Sequence, residues 1–121
     1  MKRPARSPTF LLEDMLLAMD RVAEYVAGLT LEMFLADPKT HDAVVRNLEI
    51  IGEAAKRLPL EVRALTPQLP WAQMYRLRNI VSHEYFGVDG KMIYRVATDH
   101  LPGNRRDVAA LLVSLPPESS T

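Results

Sequence analysis

The chain has 121 residues, a length typical of one domain, which can bury a single core but leaves no room for a separate substrate domain. Lys plus Arg equal Asp plus Glu at 15 each, so the formal net charge is zero, which argues against a broad electrostatic grip on nucleic acid. Cysteine is absent, which excludes disulfides and thiolate chemistry and fits a reducing cytoplasm.

The N-terminal segment is basic, and the apolar run after it is interrupted by Glu13 and Asp14, which is a poor match to a signal peptide. No apolar run is long enough to span a bilayer. We therefore expect a soluble, cytoplasmic protein with no membrane partner. Residues 1–8 are predicted to be a flexible arm, 9–115 a single helical domain and 116–121 a polar, disordered tail.

The first helix is predicted to begin near Ser7-Pro8-Thr9, with either Ser7 or Thr9 as its cap, and to end at Gly28. Its apolar residues recur at spacings of three and four, which indicates one face packed on a core. Residues 30–35 are predicted to form a short helix or turn that packs Phe34.

A second long helix is predicted to start at Asp37-Pro38, with the aspartate as cap and the proline in the first turn, and to stop before Pro59. Gly52 lies inside it at a cost of about 1 kcal/mol relative to alanine, so we expect it to allow the close approach of another helix. The proline-containing stretch 59–70 keeps apolar residues throughout, which favours an ordered connector with a short helical patch at 60–65.

The next helix should start near Pro70 and end near Gly87, and the last long helix should start at a cap on Asp89. Pro102-Gly103 is predicted to kink or break that last helix. No segment has the pattern of a strand and no repeat is present. These patterns predict an all-α fold, an antiparallel bundle of four to five main helices.

Candidate chemistry is concentrated late in the helix that starts near Pro70. Arg78 offers a planar fork of donors that suits phosphate oxygens, His83 titrates near neutral pH, and Tyr85 carries a phenol. On an ideal helix, Arg78, Ser82 and Tyr85 lie within about 60° of each other, and Asn79 lies under His83. Together they border a broad polar face that could close against a second copy of the same helix.

Each of these residues alone has a more ordinary interpretation. A single helical histidine is usually structural, a single arginine usually belongs to a salt bridge, and a tyrosine often sits at the rim of a core. His41 and His100 are interpreted as surface or core polar positions. Carboxylates are dispersed, and neither a phosphate-binding glycine loop nor a helical zinc motif occurs, so we expect neither a metal nor a cofactor.

The order Arg78-Asn79, three residues, His83, one residue, Tyr85 resembles the signature of the HEPN superfamily and, more narrowly, of its HepT-like ribonuclease toxins. The similarity to that family extends over roughly Leu11 to Leu115. It includes four further blocks, namely Asp42 to Ala54, Leu69-Pro70-Trp71, Tyr85 to Asp89, and Asp99-His100-Leu101-Pro102. One departure is Tyr75-Arg76-Leu77, where relatives often carry small or apolar residues before the arginine.

The resemblance implies a HEPN-like fold and an endoribonuclease toxin that cuts RNA at a dimer interface. Because the carboxylates are dispersed, such a nuclease is most simply metal-independent. It implies Arg78 and His83 as catalytic residues, with Asn79, Ser82 and Glu49 supporting them. It also implies a minimal nucleotidyltransferase antitoxin that silences the toxin by transferring AMP to Tyr85. No DNA partner is expected.

Two alternatives remain open at this point. Glu49 and Glu53 either pair with neighbouring cations on a solvated face or orient the arginine or histidine of the signature. The protein is a ribonuclease, or a non-catalytic helical dimer that serves as a binding or accessory subunit of a nucleotidyltransferase, or a purely structural helical bundle. Each chain has one signature histidine, whereas each cleavage needs two proton transfers. A homodimer, which brings two such histidines together, is therefore favoured.

Overall fold

The computed structural model describes the backbone of residues 7–83 and 89–116, and the side chains of these residues apart from 79–83. The predicted N-terminal arm, the C-terminal tail and Tyr85 therefore fall largely or wholly outside the described residues. The described helices are α1 (Pro8–Val26), α2 (Leu31–Leu35), α3 (Pro38–Arg57), α4 (Leu60–Arg63), α5 (Trp71–His83), α6 (Gly90–Arg95), a π-helical segment (Val96–His100) and α7 (Leu101–Ser114).

The all-α bundle prediction is confirmed, and the described part of the chain contains no strand. Helix α1 packs against α3 and α7, and α3 packs in turn against α5. The short helix α2 lies on α3 and α6 and buries Phe34 completely, as the sequence predicted. No described helix is both long enough and apolar enough to cross a membrane.

The helix starts follow the capping signals in the sequence. Ser7 caps α1 by accepting a hydrogen bond from the backbone N–H of Phe10 at 3.3 Å, which decides between the two predicted caps. Asp37 caps α3 by accepting from the Thr40 N–H at 3.1 Å and from the Thr40 hydroxyl at 2.6 Å. These bonds hold the pKa of the Asp37 carboxyl below its ordinary value, because they favour the charged form.

The connector between α3 and α5 is ordered by the only tryptophan of the chain. The Trp71 indole N–H is shared between the carbonyl oxygens of Arg63 and Thr66, each 3.0 Å away. This single donor ties the loop after α4 to the first residue of α5, so the start of α5 is set by tertiary contact as well as by Pro70.

Pro102 and Gly103 do not break the last helix, which runs without interruption from Gly90 to Ser114. Instead, the chain widens into the π-helical segment Val96–His100 directly before the proline. Proline lacks an N–H and its ring crowds the carbonyl four residues earlier, and a π-helical turn is a known way to relieve that conflict inside a helix. Of the kink or break that the sequence predicted, the break is therefore wrong.

Helix α7 is also tied to α1 by an ion pair between the Arg105 guanidinium and the Asp20 carboxylate, with Nε and Oδ1 2.6 Å apart. The Asp20 carboxylate raises the pKa of Arg105 through this hydrogen bond and its charge. Both groups are about half exposed, so the pair contributes little to the free energy of unfolding and serves mainly to position α7 on α1.

Candidate active site

The site is built where α5 crosses α3, and Gly52 sets the distance between the two helices. A Cβ atom added at Gly52 would lie 2.9 Å from the carbonyl oxygen of Met74 and 3.1 Å from both the Cβ and the backbone nitrogen of Arg78. Any larger residue would push α5 away from α3. The expected close approach is therefore present, and it occurs at the residue that carries the signature arginine.

The Arg78 side chain is held by Glu53, the residue that follows Gly52. Arg78 Nε lies 2.6 Å from Glu53 Oε2, and both side chains are about 40% exposed, at 38% and 40%. Glu53 Oε1 lies 3.3 Å from Nε of Arg57, one turn further along α3. One carboxylate thus holds two guanidinium groups, one on each of its oxygens.

These residues line an open cavity of about 410 Å³ between α1, α3 and α5, here termed the Arg78 cavity. Its charged lining comes mostly from α3, with Arg78 on the opposite wall and Asp14 on α1. Its apolar lining is Leu11, Ile50 and Ala54. A cavity of this size, lined by guanidinium groups and by apolar side chains, can take an anionic ligand as large as a nucleotide unit.

The signature residues differ in how far the structure describes them. Arg78 and Glu49 both line the Arg78 cavity. Asn79, Ser82 and His83 are in the last part of α5, but their side chains lie outside the described residues, as does all of Tyr85. Their predicted roles stay predictions.

Glu49 and Glu53 take different partners, although both were candidates for orienting the signature residues. Glu49 lies 3.7 Å from the exposed Arg46 and is paired along its own helix. Glu53 reaches across to Arg78. The supporting residues predicted from the sequence include Glu49 and not Glu53. The signal that could have found Glu53 is its place directly after the glycine at the helix crossing.

Asn47 is buried, although Arg46 and Glu49 stand close to it in the sequence. Its amide N–H₂ donates to the carbonyl oxygen of Ala43 at 2.9 Å, which satisfies the donor locally. Its Oδ1 atom is buried and has no hydrogen-bond partner among the described residues. A short amide that can bond within its own helix costs less to bury than a charge, which explains how it enters the core.

The two other histidines lie away from Arg78. His41 packs its ring against Phe34, with centroids 5.6 Å apart, and its Nδ1 is 3.3 Å from Asp42. His100 lines a second cavity of about 280 Å³ on the other flank of α5, together with Gln73, Arg76 and Asn104. Among the described residues, no group of three or more His, Asp or Glu is placed to hold a metal ion.

Fold and cavity together define an all-helical protein that presents an arginine, fixed by a carboxylate, to an open charged cavity. A family model described as "Ribonuclease HepT-like" matches residues 15–111, most of the chain. The chain belongs to this ribonuclease HepT-like family, and its all-α bundle is the HEPN-like fold that the signature implied. No solved structure matches the chain.

Three relatives show the extent of the similarity. A "Probable ribonuclease HepT" of Thermococcus cleftensis is 40% identical over 97 residues, which cover 80% of this chain and 88% of the relative. Two proteins that carry the description "Putative RNase" come from Methanocaldococcus jannaschii and Caldanaerobacter subterraneus subsp. tengcongensis. The first is 34% identical, covering 90% of each chain, and the second is 36% identical, covering 88% of this chain and 96% of the relative.

Proposed function

We propose that this protein is a metal-independent endoribonuclease. The observation that carries the proposal is the placement of Arg78, whose Nε is held by Glu53 while the side chain remains partly exposed at an open cavity. A guanidinium bound through Nε keeps the outer edge of its fork available for the oxygens of a phosphate. The family and the names of its relatives support RNA as the substrate.

The proposed chemistry uses the nucleophile that RNA itself carries. A base removes the proton of a 2′-hydroxyl, the oxygen forms a bond to the adjacent phosphorus, and the bond from phosphorus to the 5′-oxygen breaks. The leaving oxygen takes a proton from an acid. His83 is proposed to supply acid–base catalysis, and Arg78 to stabilise the added negative charge on the phosphate in the transition state. Asn79 and Ser82, on the same helix, are proposed to support them.

The direct test is cleavage of an RNA oligonucleotide by the parent, Arg78→Ala and His83→Ala. Both variants should lose cleavage by about 100-fold or more, while helical circular dichroism and melting cooperativity stay like those of the parent. Arg78→Lys should recover only a small part, since a lysine keeps the charge but loses the fork. Parent-like cleavage by His83→Ala would overturn the mechanism.

The proposal that no metal takes part has its own measurement. Cleavage by the parent should be unchanged in excess EDTA, because the nucleophile is the 2′-hydroxyl and the charge is stabilised by Arg78. Added magnesium should not raise the rate beyond its effect on RNA structure. Loss of activity in EDTA that magnesium restores would contradict this part of the proposal.

We further propose that the protein is the toxin of a toxin–antitoxin pair, silenced by a nucleotidyltransferase antitoxin that transfers AMP to Tyr85. A phosphodiester on Tyr85 would add bulk and negative charge two residues beyond His83, which would compete with an RNA phosphate for Arg78. The test is co-expression with the proposed nucleotidyltransferase antitoxin and intact-mass measurement of wild type and Tyr85→Phe. We expect the wild type alone to gain mass in units of AMP and to lose cleavage. Equal labelling of Tyr85→Phe would exclude Tyr85 as the modified residue.

The second candidate function is a non-catalytic subunit of a nucleotidyltransferase, in which the same residues bind a nucleotide or hold a dimer. The mixed charges of the Arg78 cavity are compatible with nucleotide binding as well as with RNA. Cleavage of RNA by the isolated, highly purified protein distinguishes the two candidates. The names of the relatives favour the ribonuclease.

A further inference from the structure

We propose that Arg57 forms a second phosphate subsite beside Arg78, where it contacts the RNA phosphate next to the one that is cleaved. This inference rests on the proposed ribonuclease function and adds to it a binding residue outside the Arg78–His83 signature. Arg57 lies at the end of α3 and lines the same cavity as Arg78, although the two residues are 21 positions apart in the chain.

The first support is the way Glu53 arranges the two cations. Its Oε2 and Oε1 atoms lie 2.6 Å and 3.3 Å from Nε of Arg78 and Arg57, respectively. Within the described residues neither guanidinium has another carboxylate partner. Glu53, Arg57 and Arg78 together carry a charge of +1, whereas the whole lining, with Arg46, Asp14 and Glu49, carries three charges of each sign. Both guanidinium forks keep edges that Glu53 does not occupy.

The second support is that the Arg57 side chain is exposed and can move to meet a phosphate. Its side chain is 61% exposed, and its contact with Glu53 is an exposed pair four residues apart on one helix. Such pairs contribute little to stability. A phosphate can therefore bind the N–H groups of Arg57 that Glu53 does not use, or replace Glu53 as the partner of Arg57, at a small cost in free energy. Arg78, with a shorter contact and less exposure, is the better fixed of the two.

The third support is spacing. RNA carries one phosphate per nucleotide, so a phosphate bound at Arg78 has a neighbour one nucleotide away on each side. Arg57 is joined to Arg78 through a single carboxylate, whereas Arg46, the other arginine of α3 that lines the cavity, is paired with Glu49. Leu11, Ile50 and Ala54 add apolar surface to the same cavity, against which a sugar can pack.

Arg57 also has a simpler explanation, since cations are favourable at the C-terminal end of a helix. Lys56 separates the two explanations. It is the preceding residue, it is exposed at the same helix end, and it does not line the Arg78 cavity. Lys56→Gln and Arg57→Gln therefore remove the same charge from the same helix terminus, and only the second removes a charge from the cavity.

The experiment measures binding of a single-stranded 2′-O-methyl RNA oligonucleotide, which lacks the nucleophile, by fluorescence anisotropy at several salt concentrations. For single strands, the slope of log affinity against log salt is about −0.7 per phosphate contact, so Arg57→Gln should make the slope shallower by about 0.7. Lys56→Gln and Arg57→Lys should keep the parent slope. With cleavable RNA, Arg57→Gln should raise KM severalfold with kcat near that of the parent.

Equal slopes for Arg57→Gln and Lys56→Gln would overturn the subsite, and so would an unchanged KM. If Arg78→Ala abolishes cleavage while Arg57→Gln behaves like Lys56→Gln, only the subsite is wrong and the ribonuclease proposal stands. If the parent binds RNA but does not cleave it, the ribonuclease proposal fails and the slopes still decide on Arg57. Absence of any RNA binding by the parent would overturn both.

Discussion

At the scale of single residues, Glu53 is the position where the structure adds most to the chemistry that the sequence suggested. The long side chain of Arg78 has many rotamers, and a carboxylate 2.6 Å from its Nε selects one of them. Glu49, one turn earlier, lines the same cavity but is paired with Arg46 instead. The two glutamates thus form a natural pair of test and control.

We predict that Glu53→Gln lowers kcat for RNA cleavage by about 10- to 100-fold, because Arg78 loses the charged partner that orients it. Glu49→Gln removes the same charge from the same wall and should stay within about twofold of the parent. Steady-state kinetics of the two variants, with circular dichroism as a check of folding, provide the measurement. Equal effects of the two substitutions would mean that Glu53 acts only through the general charge of the cavity.

A second prediction at this scale concerns pH and the Asp37 cap. The pKa of Asp37 is lowered in the folded protein, chiefly by the Thr40 hydroxyl and its N–H. Its contribution to stability is therefore fully present above the ordinary value of 3.8 and is lost as pH falls through the lower folded pKa. Asp37→Ala should lower the melting temperature at neutral pH, and the difference from the parent should shrink in acid.

Ser7→Ala is the control for that titration, because it removes a cap of the same kind from α1 but removes no titratable group. Its effect on the melting temperature should be the same at neutral and acidic pH. Thermal melts from about pH 7 down to about pH 3 compare the three proteins. If the difference in melting temperature between Asp37→Ala and the parent does not change with pH, the ionised Asp37 carboxylate is not the source of the stabilisation.

At the scale of elements, the crossing of α3 and α5 is controlled by one glycine. Alanine at Gly52 would improve helix propensity by about 1 kcal/mol, but its Cβ would meet backbone atoms of α5 that cannot turn aside. Overpacking of this kind typically costs about 1–3 kcal/mol, so Gly52→Ala should be destabilising on balance. Because Arg78 moves with α5, cleavage should fall as well.

Gly103 provides the matched control, since it also lies inside a helix but has open space around it. A Cβ added there would meet only a terminal nitrogen of Arg106, 3.9 Å away. Gly103→Ala should therefore stabilise the protein by up to about 1 kcal/mol and leave cleavage unchanged. Urea denaturation of both variants gives the comparison, and stabilisation by Gly52→Ala would show that the two helices do not need this close contact.

At the scale of the whole molecule, the proposed cleavage needs two proton transfers, and each chain carries one signature histidine. We predict a two-fold dimer with the α5 helices near the axis, so that two copies of His83 serve one site or two sites in turn. Light scattering at micromolar concentration should give twice the mass of the chain. A monomer with full cleavage activity would contradict this prediction.

The sequence by itself determined the helices, their caps and the family. These features are local or periodic, since Ser7, Asp37 and the apolar spacing act within one or two turns, and the Arg78–His83 signature is contiguous. Glu53, Asn47 and the uninterrupted last helix were decided only by the tertiary structure. Which glutamate reaches Arg78 depends on how α5 crosses α3 at Gly52, and whether an asparagine is buried depends on a neighbour far away in the chain. Whether a helix continues through a proline or ends there depends on the packing around it. That packing involves other helices, so no single segment of the sequence determines it.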